Sequence, residues 1–103
     1  MANVTVTIGS NGDPSPSHIN INVGDTVSFH ANGDDVVLCV SDEAIFGDDR
    51  YEIPEDSSLN LNAQVGAPQG DFDFLVLVGD LEATCGGGKG GDGEGSGTVG
   101  GGP

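Results

Sequence analysis

An all-β fold, an antiparallel sandwich of about seven strands with Greek-key connections, is what this chain predicts, and three observations carry the prediction. Apolar and polar residues alternate with a period of two along most of the chain. Turn-forming clusters of Gly, Asp, Asn and Pro interrupt that alternation at intervals of about 8–12 residues, the spacing of short strands in a sandwich. No stretch sustains a helical period.

Taken in order, Val4, Val6 and Ile8 alternate with Asn3, Thr5 and Thr7, which gives a first strand with one inward face. Asn11-Gly12-Asp13-Pro14 turns the chain, and Ile19, Ile21 and Val23 alternate with Asn20 and Asn22 in a second strand that ends at Gly24-Asp25. Val27 and Phe29 mark a third strand. Val36–Val40 is a continuous apolar run, the pattern of a strand covered on both faces. Residues 41–58 form a long acidic loop around Ile45, Phe46, Tyr51 and Ile53, with one helical turn near Asp42–Phe46. Leu59, Leu61, Ala63 and Val65 alternate with Asn60, Asn62 and Gln64 in a fifth strand, and Phe72, Phe74, Val76 and Val78 form the strongest.

At 103 residues the chain builds one core. Eleven of its 19 glycines fall within Gly86–Pro103. The organisation is therefore a β-sandwich domain over residues 1–85 and a glycine-rich acidic tail over residues 86–103, which supplies a last strand at residues 97–99 or a contact between subunits.

Charge bounds the function. Seventeen Asp and Glu residues stand against two basic ones, Arg50 and Lys89, for a formal charge of −15. Such a surface repels nucleic-acid backbones and anionic lipid. Its carboxylates either collect divalent cations or keep the protein hydrated, as a salty habitat would require. No apolar run is long enough to span a membrane. The opening residues, MANVTVTIGS, show no signal peptide, so the protein is expected to be cytoplasmic or exported with its signal already removed.

Candidate chemistry is sparse. Cys39 and Cys85 are the only cysteines, either one disulfide closing a long loop or two buried thiols. His18 and His30 flank predicted strands as polar surface residues. Asp92-Gly93-Glu94-Gly95-Ser96-Gly97 matches the opening of a calcium loop, with oxygen ligands from Asp92, Glu94 and Ser96 and a glycine at position six. The twelfth position of that loop is Pro103, where a bidentate Glu belongs. Enzymatic readings fare worse: there is no Trp and one Tyr to shape a sugar site, no G-x-S-x-G elbow, and no base placed for a serine nucleophile.

Ile21-Asn22-Val23-Gly24-Asp25-Thr26-Val27-Ser28-Phe29 resembles the cupredoxin signature in which two strands joined by a Gly-Asp turn precede the first copper ligand. Gly70-Asp71-Phe72-Asp73-Phe74-Leu75-Val76 resembles the strand that leads to that family's Cys, His and Met ligands, and Gly97-Thr98-Val99 resembles the opening of its last strand. These motifs also occur in immunoglobulin-like sandwiches. The resemblance implies a copper site whose first His falls near Val37 or Leu38, whose Cys falls at Val76 and whose second His falls near Gly79. None of these positions holds a ligand, and no Met follows Met1. The expectation is a cupredoxin-like scaffold lacking the copper ligands, with no enzymatic activity and no cofactor. Its role is that of a structural, self-assembling subunit acting through its surface and tail. A calcium-binding or ligand-binding module, and more remotely a redox protein of cupredoxin type, are the alternatives.

Overall fold

Strand alternation sorts the side chains into a shared interior and two outer faces. The computed structural model describes residues 3–85 and 93–100. Its elements are β1 (Asn3–Ile8), β2 (Pro14–Ser15), β3 (His18–Asn22), β4 (Thr26–Ala31), β5 (Val36–Val40), α1 (Glu43–Phe46), β6 (Arg50–Ile53), β7 (Ser58–Asn62), β8 (Gly70–Val78) and β9 (Gly93–Gly100). They form a four-stranded sheet ordered β2-β1-β4-β7 and a five-stranded sheet ordered β3-β9-β8-β5-β6.

Two features depart from expectation. Among the described residues there are nine strands rather than about seven, because β2 and β6 lie in stretches whose composition predicts turn and acidic loop. Both sheets are mixed, not purely antiparallel: β1 pairs parallel to β4 and β3 pairs parallel to β9. The chain leaves the four-stranded sheet for β3 before returning as β4, and such a crossover brings β4 back alongside β1 in the same direction. Alternation reports which face a residue takes and carries no information on strand direction.

The Gly24-Asp25 turn is held from several sides. Gly24 adopts φ +93°, which a side chain resists. The Asp25 carboxylate accepts a hydrogen bond from the Asn22 backbone N–H at 2.9 Å, and the Asp25 carbonyl accepts one from Ala63 N–H at 2.9 Å. That fixes the β3–β4 corner against the end of β7. The strand ends at Asn62, and although Ala63 still turns inward as predicted, Val65, also expected inward, is 93% exposed. Gln64 is the cause: its backbone N–H donates to the Ile45 carbonyl and its Nε2 to the Phe46 carbonyl, so the chain bends onto α1 instead of continuing as strand.

The helical turn foreseen near Asp42–Phe46 is α1. Asp42 caps it by accepting from Ala44 N–H at 3.0 Å, and Gly47, at φ +108°, ends it. Its Ile45 and Phe46 enter the core. All four phenylalanines of the chain connect there: Phe46 meets Phe72 edge-on at 5.9 Å between centroids, Phe72 lies 6.5 Å from Phe74, and Phe74 meets Phe29 edge-on at 5.6 Å.

The glycines of β9 make room for those rings. Gly93, Gly95, Gly97 and Val99 alternate with outward residues, and β9 lies between β3 and β8. A Cβ at Gly95 would overlap the Phe74 ring, and one at Gly97 would stand 2.5 Å from the Phe72 ring. The residues 97–99 singled out in the sequence thus fall inside an eight-residue strand at the interior of its sheet. Gly95→Ala is expected to cost about 1–3 kcal/mol through forced ring displacement, measured by urea unfolding, while Glu94→Ala on the opposite face stays within about 0.5 kcal/mol.

Candidate functional site

The outer face of the five-stranded sheet collects the residues from which a site can be built. Cross-strand register places Arg50, Cys39, Leu75 and Glu94 in one row across β6, β5, β8 and β9. Val37 occupies the same face two residues along β5, beside Leu77. An apolar strip on an outer face needs a cover, and the chain after β8 supplies it. Residues 79–85 fold back over this face and are tied to it at Cys39 and Arg50.

The first tie is covalent. Cys85 forms a disulfide with Cys39, 46 positions away in sequence, with the Cα atoms 5.8 Å apart. The second is the Arg50 guanidinium. Its Nε donates to the Ala83 carbonyl at 3.0 Å, its Nη2 to the Leu81 and Ala83 carbonyls at 2.7 and 2.9 Å, and its Nη1 pairs with Glu52 at 2.7 Å. One planar cation thus satisfies backbone acceptors that the strap would otherwise leave over apolar surface. The fully buried Val37 and the nearly buried Cys39 show that the cover is effective.

Beside the strap lies a groove of about 600 Å³. Its floor is Leu75 with the Cys39–Cys85 bridge, and its rim carries Asp49, Asp73 and Glu94. The β5 end of the rim is rigid, because Ser41 N–H donates to the Asp73 carbonyl at 2.9 Å and Asp73 N–H donates to Ser41 Oγ at 3.0 Å. Arg50 is engaged with Glu52, the one ion pair among the described residues. The rim carboxylates therefore face the groove without a cation in the described structure.

Of the calcium candidates, Glu94 and Ser96 share the outer face of β9, and the Ser96 hydroxyl is bonded to His18 Nδ1 at 2.8 Å. Asp92 lies outside the described residues. Among the described residues, no group of three or more His, Cys, Asp or Glu side chains comes close enough to share a metal ion. The sequence reading missed the groove because Asp49, Asp73 and Glu94 come from three distant segments; the alternation within β8 and β9 was the only signal that two of them share a face.

The place a cupredoxin would use for copper is filled with hydrocarbon. Val76 is fully buried and pairs across the sheet with Leu38, Val36 pairs with Val78, and Gly79 N–H is taken by the Asp35 carbonyl at 2.8 Å. Val37 faces the strap. Both cysteine sulfurs are joined to each other, and the two histidines sit on the outer faces of different sheets, His30 bonded to Ser58 at 2.9 Å. A blue-copper centre needs a thiolate and two imidazoles converging on one point, and the residues present do not fit copper.

No protein-family profile matches the chain, and no curated protein sequence matches it. Solved structures do. A reduced Cu(I) form of an amicyanin variant superposes with a TM-score of 0.57 at 15% identity, covering 93% of this chain and 80% of that one. A Sinorhizobium pseudoazurin gives 0.52 at 21% identity, covering 97% of this chain and 75% of that one. The fold is cupredoxin-like. The cupredoxin-like sandwich here lacks the copper ligands and has a covalently anchored strap across its five-stranded sheet.

Tyr51, opposite Leu38 in register, packs its ring against the core. Its hydroxyl is closed off from water without a well-formed hydrogen bond. Burial raises its pKa above the ordinary phenol value, and the neighbouring Asp48 and Asp49 carboxylates push the same way, partly opposed by the Asp48 backbone. A raised folded-state pKa contributes stability that is complete below the unfolded value of about 10 and is lost as pH rises through the folded value. Unfolding in alkali is therefore expected to set in as phenolate forms, and ultraviolet titration reads it cleanly because the chain has one Tyr and no Trp. Replacing both cysteines by serine is expected to lower stability by about 4 kcal/mol in the chain-entropy model, checked by denaturant unfolding against the oxidised protein.

Proposed function

We propose that the chain is a non-catalytic structural module that works by binding. In this reading the groove beside the strap takes a cation with an apolar body, such as a lysine side chain from a basic segment of a partner protein. The observation that carries the proposal is the pairing within one groove of an apolar floor, Leu75 and the disulfide, with a rim of three carboxylates from β8, β9 and the segment before β6. Pockets of several hundred Å³ with an apolar lining and a few convergent polar groups are the usual form of a ligand site. The general field of a chain of charge −15 favours the same class of ligand and speeds its arrival.

The scaffold supports binding over catalysis. The three carboxylates belong to different strands and loops, and no described histidine or serine is placed as a nucleophile and base pair beside them. Aliphatic side chains hold the positions at which a cupredoxin would build its metal centre.

Titration of isotope-labelled protein with hexylammonium, followed by nuclear magnetic resonance, tests the reading. Shifts confined to Ser41, Asp73, Leu75 and Glu94 with a Kd on the order of 1 mM are expected, together with their loss in Asp73→Asn/Glu94→Gln. Equal binding of hexanoate, or the absence of localised shifts, overturns it.

A further inference from the structure

The two outer faces of the sandwich differ in charge. On the five-stranded sheet, outward positions carry Glu52, Asp71, Asp73 and Glu94. On the four-stranded sheet, the outward positions of β1, β4 and β7 carry only Asn, Thr, Ser and His, with no carboxylate among them. The remaining described acidic residues sit in turns, loops and α1. In a chain with 17 acidic residues, the outward positions of this sheet carry no carboxylate.

That face is also ordered. Three cross-strand pairs tie β4 to β7: Thr26 Oγ1 donates to Asn62 Oδ1 at 2.7 Å, Ser28 Oγ donates to Asn60 Oδ1 at 2.5 Å, and His30 Nδ1 lies 2.9 Å from Ser58 Oγ. Both Asn oxygens accept within the face, so each amide keeps its N–H donors for an outside acceptor. β1 adds the exposed Thr5 in register with Ser28. The side chains are short, as close approach of two sheets requires.

From this arrangement we propose that the four-stranded sheet is a self-association surface, on which a second copy of this chain docks face to face across a two-fold axis. The occupant follows from charge. Two copies of charge −15 repel at every approach that brings carboxylates together, and the outward positions of this face bring none. A self-complementary face supplies the same hydroxyl and amide donors and acceptors from both sides. Strands about 4.8 Å apart and 5–6 residues long give a patch on the order of 300 Å², well under the roughly 800 Å² per partner of a stable complex. The dimer is therefore weak and needs salt to screen the rest of each molecule. The inference is independent of the groove, which lies on the other sheet.

Sedimentation velocity of the full chain, over a range of concentration at low and high sodium chloride, tests it. Reversible dimerisation that strengthens with salt is expected, and Thr5→Glu and Ser28→Glu are each expected to weaken it by roughly tenfold or more. Asn20→Glu, which adds the same charge to the exposed face of β3, serves as the control and leaves the dimer near its original strength. Circular dichroism melts establish that each variant is folded, and Thr5→Glu, at an exposed position, provides the reading if Ser28→Glu does not fold. A monomer under all salt conditions, or equal weakening by Asn20→Glu and Thr5→Glu, overturns the proposal.

Discussion

Phe72 and Phe74 lie against the glycines of β9, and most of the architecture depends on that contact. β9 is the only strand between β3 and β8, so the five-stranded sheet is continuous only if β9 lies flat beneath those rings. Each buried Phe contributes about 1.5–3 kcal/mol by leaving water, and the edge-on contacts to Phe29 and Phe46 extend the same cluster to β4 and α1. Glycine in a strand normally weakens it, through chain entropy and lost packing. Here the ring from the neighbouring strand supplies the packing that the glycine lacks, and a hydrophobic content of 35%, low for a globular chain, becomes compatible with a filled core.

The outer face of that sheet has the opposite problem: Val37, Leu75 and Leu77 would stand in water. The strap solves it at the cost of burying backbone carbonyls, and Arg50 is placed to satisfy two of them. This accounts for the position of the one arginine in so acidic a chain. Register puts Arg50 directly beside Cys39, so the ionic and covalent anchors act on the same short segment from adjacent strands. The groove then follows from the strap's limited width: it covers Val37 and Cys39 and leaves Leu75 half-buried between carboxylates.

Much of this was legible in the residues. The period-two alternation located β1, β3, β4, β7 and β8, since each of these has an inward set rich in Val, Ile, Leu or Phe, and β5 stood out as an unbroken apolar run. β6 was hidden because Arg50, Tyr51 and Glu52 read as acidic loop, and only Ile53 is wholly buried. The length of β9 was hidden for a different reason: its inward set is glycine, and a glycine that faces a ring looks the same in sequence as a glycine in a flexible tail. The groove depends on three segments meeting across a sheet. The order of strands, which alternation does not encode, decides whether they do.

The aliphatic residues at the cupredoxin ligand positions bear on why the scaffold could take this form. A copper site places ionised sulfur and imidazole nitrogens at one end of the sandwich, and those groups need hydrogen-bonded neighbours and a polar second layer. With Val76 and Leu38 there instead, that end closes on buried aliphatic side chains and the Gly79 N–H bond to the Asp35 carbonyl. Cys39 and Cys85 are joined on the outer face of the five-stranded sheet instead. Charge follows the same division: Asp73 and Glu94 stand on the five-stranded sheet where the groove lies, and the outward positions of β1, β4 and β7 carry no carboxylate.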